Sequence, residues 1–166
     1  MKKLIHLLTA FILLAMIACS SDDESSSSIT GESILKMNID GTHWEADSHI
    51  VIGQSETEGM YNFTFTGRNS SFNGAVSSIS AIFSVSEDIT SGTYELSGSG
   101  AGVTITGING GTYMGGWITS TTFTIQITEV SGSGANKKFK GAFAGTLKGA
   151  SSDDTIIVTN GEFSTF

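Results

Sequence analysis

Tyr61-Asn62-Phe63-Thr64-Phe65-Thr66 sets large aromatic side chains at every second position and small polar ones between them. Only an extended strand places residues i, i+2 and i+4 on one face, so this stretch reads as a half-buried β-strand with an aromatic inner side. The same rhythm spreads in both directions from it. Leu35, Met37 and Ile39 oppose Lys36, Asn38 and Asp40, and Trp44 with Ala46 begins again after the turn pair Asp40-Gly41. Ile50-Val51-Ile52 is a short apolar run that ends at Gly53. Ile79, Ala81, Phe83 and Val85 alternate with Ser78, Ser80, Ile82 and Ser84, and a short strand from Thr93 to Leu96 follows Ser91-Gly92.

The second half repeats the pattern. Val103 and Ile105 lead to Asn109-Gly110-Gly111, a hairpin signal, and Thr112 to Ile118 returns as a strand broken by glycines. Phe123, Ile125 and Ile127 oppose Thr124, Gln126 and Thr128. Beyond the loop Ser131–Gly134, Phe139, Gly141, Phe143, Gly145 and Leu147 share one face of a long strand, with Lys138, Lys140, Thr146 and Lys148 on the other. The glycines at 141 and 145 predict strong bending or close packing over an aromatic such as Trp44 or Trp117. A last strand runs from about Thr155 through Phe163, with a bulge or turn at Asn160-Gly161. This predicts an all-β domain of about ten antiparallel strands, either a β-sandwich or a flattened up-and-down β-barrel, over residues 33–166. The 21 glycines and the absence of proline agree with many short strands joined by turns.

The first 32 residues obey different rules. Lys2 and Lys3 precede an apolar run from Leu4 to Ala18, which is about 15 residues long and short of the ~20 needed to span a bilayer. Met16-Ile17-Ala18-Cys19 resembles a lipoprotein processing site, with a small residue just before a cysteine. Ordinary signal-peptidase cleavage after Ala18 would place Met16 where a small residue is wanted. Cys19 is the only cysteine in the chain and so has no disulfide partner within it. We therefore expect residues 1–18 to be a signal peptide and Cys19 to carry a diacylglycerol. Two or more acyl chains hold a protein stably at a membrane, at about 0.8 kcal/mol per buried methylene.

Residues 19–32 then form a lipidated cysteine and a Ser-rich, acidic tether with almost nothing to bury, expected to be disordered. Asp22-Asp23-Glu24 resembles the acidic tag that sends some Bacteroidota lipoproteins to the outer cell surface, and reads equally well as an ordinary charged linker. The expected location is the cell envelope, as an outer-membrane lipoprotein, with the choice between its periplasmic and its outer-surface face left open.

Loss of Lys2 and Lys3 with the signal would leave 6 basic and 16 acidic residues, a formal charge of −10. Nucleic acid is not an expected partner of such a chain, because phosphate binding relies on Lys and Arg displacing counterions. The expected membrane contact runs through the lipid on Cys19, and the protein, glycan or small-molecule partner is left open.

No sequence motif points to catalysis. There is no G-x-S-x-G, H-E-x-x-H or P-loop. Gly98-Ser99-Gly100-Ala101-Gly102 imitates a nucleotide fingerprint, but Val103 stands at its sixth position and a strand follows. The one polar cluster is His43, Glu45, Asp47 and His49, which an unbroken strand would align on one face. Two histidines and two carboxylates could ligate a metal, but they read first as the polar side of a strand that buries Trp44 and Ala46. Neither a metal nor a cofactor is expected, and no enzyme activity.

The acidic pairs Glu56/Glu58, Glu87/Asp88 and Asp153/Asp154 sit near turn signals and lack EF-hand spacing. Tyr61, Tyr94, Tyr113 and Trp117 are candidates for a sugar-stacking platform, or for the core.

Gly41-Thr42-His43-Trp44-Glu45-Ala46 is similar to the G-x-x-W-x-A opening of a family of uncharacterised Bacteroidota lipoproteins. Phe139–Leu147 and Thr159-Asn160-Gly161-Glu162-Phe163 resemble that family's closing hairpin, with its T-N-G-x-F strand. The resemblance implies a cell-envelope lipoprotein and carries over no catalytic residue. Two readings of function follow: a non-catalytic surface binding or structural module, or a lipocalin-like carrier enclosing a small apolar ligand.

Overall fold

The computed structural model describes residues 33–97, 101–116 and 121–166. The expected signal peptide, Cys19, the expected tether, Trp117 and most of the glycine run at 98–102 lie outside them.

The described chain is all-β and antiparallel, with eleven strands. They are β1 (Ile34–Ile39), β2 (Thr42–Glu45), β3 (Ser48–Thr57), β4 (Met60–Phe72), β5 (Ala75–Val85), β6 (Gly92–Leu96), β7 (Gly102–Ile108), β8 (Gly111–Gly115), β9 (Phe123–Ser131), β10 (Lys138–Gly149) and β11 (Thr155–Ser164). One 3-10 turn, Gly134–Asn136, precedes β10.

Four hairpins close through two-residue turns in which both residues have positive φ: Asp40-Gly41, Glu58-Gly59, Asn73-Gly74 and Asn109-Gly110. That backbone twist matches the twist of the flanking strands, which is why such short turns suffice. The bulge expected at Asn160-Gly161 is present. Asn160 has φ 51°, and the register slips there against both neighbours, between Phe143 and Gly145 of β10 and between Lys36 and Asn38 of β1.

The strands form a curled sheet, a half-barrel, in the order β2-β1-β11-β10-β8-β7-β5-β4-β3. It forks at β10. Residues 138–145 of that strand pair with β9, which in turn pairs with β6, while Lys148 and Gly149 pair with β8. The two ends of the main path, β2 and β3, are consecutive in the chain and separated only by Ala46 and Asp47. There the backbone changes partner, since Ala46 N donates to Leu35 O and Asp47 N donates to Arg68 O, both at 2.9 Å.

Two local features permit this crossing. Gly67 of β4 leaves room for it, because a Cβ there would stand 2.6 Å from Leu35 Cδ2 and 2.9 Å from Ala46 Cβ. Opposite it the β3–β4 register slips between Ser48 and Val51, with His49 at φ 54°. A bulge bends its strand and increases the twist, as the curl requires.

The concave side holds one continuous core. Phe63 lies at its centre, with ring centroids 5.1 Å from Phe139, 5.2 Å from Phe83 and 5.6 Å from Phe163. Phe65 stacks on Phe143 at 4.8 Å and on Phe163 at 5.6 Å. Aromatic pairs of this kind add about 0.5–1.5 kcal/mol each beyond their area burial.

The glycines of β10 and β11 belong to this packing. Gly141 is the cross-strand partner of Phe163, Gly161 of Phe143, and Gly145 of Phe123. In each case the partner's ring or backbone occupies the space a Cβ would need. The expected close approach over an aromatic is therefore real, and the aromatics are phenylalanines on neighbouring strands. Trp44 is fully buried elsewhere in the core, and its indole N–H donates to the buried Ser77 Oγ at 2.7 Å.

Candidate functional site

His43, Glu45, Asp47 and His49 are all exposed, as period-two reasoning predicts. They do not converge. His43 Nε2 lies 3.4 Å from Glu45 Oε2 on β2, with both side chains more than half exposed. Asp47 sits past the end of β2 and turns toward the neighbouring strand. Its carboxylate accepts from Ser70 N at 2.8 Å, from Ser70 Oγ, and from Ser48 Oγ at 2.8 Å. Those hydrogen bonds, the Ser70 hydroxyl first, hold its carboxyl below the usual carboxylate range. His49 occupies the bulge. The alignment assumed one unbroken strand, and the crossover at Ala46-Asp47 breaks it. Asp47 thus acts as a tie between β2 and β4. Among the described residues, no three His, Cys, Asp or Glu side chains gather as a metal would require.

The tyrosines do not make a platform either. Tyr113 is buried, and Tyr61 and Tyr94 are half-buried against the core. Tyr94 stacks on Phe83 with centroids 4.5 Å apart, and its hydroxyl donates to Thr90 O at 2.9 Å. Glu56 raises the Tyr61 hydroxyl above its usual value, with burial and Asp88 adding to the effect.

One charged element was not legible in the sequence. Lys137, just after the 3-10 turn, is nearly buried, and its Nζ contacts Asp88 Oδ1 at 2.6 Å and Ile89 O at 3.0 Å. Gln54 Nε2 donates to the same Asp88 oxygen at 2.8 Å. The Lys137 ammonium, then Gln54, lowers the Asp88 carboxyl. This cluster links the β9–β10 connection to β3 and to the β5–β6 loop. Gln54 and Asp88 are 34 residues apart and Lys137 and Ile89 are 48 apart, so no local motif announces them.

The concave interior is filled. Phe63, Phe65, Phe83, Phe123 and Phe143 are each at most 3% exposed and in ring contact with one another or with Phe163. A carrier of the lipocalin kind keeps its ligand where these rings stand.

Two kinds of cleft open at the surface. One flanks the β10–β11 loop, where Met114, Ser151 and Ser152 line about 430 Å³ beside the ion pair of Lys148 Nζ and Asp153 Oδ1 at 2.7 Å. Asp153 is fully exposed, so this pair contributes little to stability. The other, of about 670 Å³, runs between β5 and β6 over Phe83 and Tyr94.

Fold and surface together define a solid-cored, curled antiparallel β domain whose accessible concavities lie on its outside. Compared with known proteins, the chain matches no family model, no curated protein and no solved structure.

Proposed function

We propose that this chain is a lipid-anchored module of the cell envelope that binds or displays a partner at the cell surface and catalyses no reaction. The observation that carries the proposal is the lone Cys19 directly after an apolar run headed by two lysines, followed by a polar tether that leads into β1. The kinship with Bacteroidota lipoproteins, implied by residues 41–46 and 159–163, is part of the same proposal. The filled interior supports it, because a domain with phenylalanines at its centre meets partners through its outer surface. The carrier alternative has only the curl of the sheet in its favour.

Two experiments test the reading. Cys19→Ala, or inhibition of lipoprotein signal peptidase, is expected to yield an unprocessed or unanchored chain, and normal membrane retention refutes the anchor. Protease added to intact cells is expected to degrade the β domain. Protection in intact cells with loss after lysis refutes surface display.

A further inference from the structure

The wall of the curled sheet has an opening between β5 and β6. β7 pairs with β5 only from Ser78 to Ile82, so among the described residues Phe83, Ser84 and Val85 meet no strand on that side. β6 pairs with β9 and, among the described residues, with no other strand. The two free edges line the two sides of the 670 Å³ cleft, and the stacked rings of Phe83 and Tyr94 form its floor. That volume falls within the range of ligand-binding pockets. In each strand, alternate N–H and C=O groups point outward from the edge, where no strand of the described residues meets them, and such an edge is a template for another extended chain.

We propose that this cleft is a docking site for an extended, basic peptide segment of a partner protein, which adds as a strand along the edge of β6. The proposal rests on the reading of the domain as a binding module and names its partner class. The length of β6, five residues at about 3.3 Å each, sets the length of chain that can pair.

Charge sets the sign of the partner. Glu95 lies in the cleft wall, Glu58 stands at the β3–β4 turn between the lining residues Thr57 and Met60, and Glu87 follows Val85. All three are exposed, and among the described residues no lysine or arginine pairs with any of them. Lys137 is nearly buried and already holds Asp88. Met60, 40% exposed at the rim, gives the incoming strand an apolar contact. A strand with alternating apolar and basic residues meets both features. An acidic strand meets only repulsion.

The test uses the whole chain in detergent and a seven-residue peptide of lysine, valine and threonine. Hydrogen exchange and amide NMR shifts are read while the peptide is titrated. Slowed exchange and shifts concentrated in Phe83–Val85 and Thr93–Leu96 are expected. A peptide with alternate amides N-methylated is expected to bind at least tenfold more weakly, because it cannot complete the ladder. Glu95→Lys, a change at an exposed side chain, is expected to weaken binding of the basic peptide several-fold. It should also improve binding of the same peptide with glutamate in place of lysine.

Equal binding of the N-methylated peptide, equal binding of the acidic peptide to the unaltered chain, or perturbation confined to other strands overturns the proposal. Lack of peptide binding by a chain still anchored and protease-accessible on cells also overturns it, while leaving the surface-module reading intact.

Discussion

Replacing Gly145 by alanine tests whether the glycines of β10 are seats for phenylalanine. A Cβ at this position would stand 2.5 Å from Thr122 O, 2.6 Å from Phe123 Cδ2 and 2.7 Å from Phe123 Cα. The ring could turn away, but two of the three atoms belong to the backbone of the adjacent strand. That backbone is held by the Gly145–Phe123 register and by the hydrogen bond from Thr146 N to Thr122 O at 3.0 Å. Overpacking a tight site costs about 1–3 kcal/mol, and a backbone obstacle belongs in the upper half of that range. Alanine regains about 0.5 kcal/mol over glycine in a strand, leaving a net loss of about 2 kcal/mol. At about 4 °C per kcal/mol for a domain of this size, the melting temperature should fall by about 8 °C.

Gly53 of β3 is the matched control. No atom lies within 4 Å of its would-be Cβ, so Gly53→Ala should leave the melting temperature unchanged or raise it by about 2 °C. Thermal unfolding of both variants, followed by circular dichroism, reads the difference. If Gly145→Ala melts within 2 °C of the unaltered chain, the packing argument for the β10 glycines is wrong.

Other changes probe separate parts of the structure. Trp44→Phe strands the buried Ser77 hydroxyl and Ser77→Ala strands the indole N–H, so each should cost about 1–3 kcal/mol in urea unfolding. The double variant should cost less than their sum. Asn160→Val puts a β-branched residue at φ 51° and should cost about 1–2 kcal/mol, whereas Asn160→Gly should be nearly neutral.

Asp88 gives a prediction in pH. The Lys137 ammonium and Gln54 hold its folded carboxyl below the usual aspartate range, so its contribution is complete above that range and is lost as pH falls through the lowered value. Asp88→Asn should therefore lose less stability than the unaltered chain on acidification from about pH 5 to about pH 2. Equal acid sensitivity of the two would show that the Lys137 contact does not stabilise the fold.

The class of fold was written in the local pattern. Alternation in Tyr61–Thr66 and Phe139–Leu147 marks strands and their inner faces, because side-chain direction in a strand depends only on parity. Asp40-Gly41 and Asn109-Gly110 mark turns, because few residue pairs accept two positive φ angles in succession. Asn160-Gly161 marks the bulge because asparagine tolerates the single positive φ at position 160. Cys19 and the apolar run before it likewise carry their meaning in sequence, as the basis of the proposed anchor.

Tertiary structure decided what depends on partners distant in the chain. Parity puts Gly141 and Gly145 on the inner face, but only the register of three strands assigns Phe163 and Phe123 to them. Alternation predicted His43, Glu45, Asp47 and His49 on one exposed side, and each is exposed, but the crossover at Ala46-Asp47 and the bulge at His49 keep them from forming a single site. Lys137 is an ordinary lysine in sequence. It becomes a buried tie because Asp88, Ile89 and Gln54 arrive from other strands and loops. The opening between β5 and β6 follows from β7 starting its pairing at Ile82, beyond which no strand of the described residues pairs with the last residues of β5 on that side. Dihedral preference and side-chain alternation are properties of neighbouring residues, so the sequence displays them directly. Pairing and closure are set by contacts distant in the chain, 33 residues apart at Trp44–Ser77, 48 at Lys137–Ile89 and 117 at Asp40–Ile157, and those take shape only when the whole sheet has curled around its phenylalanines.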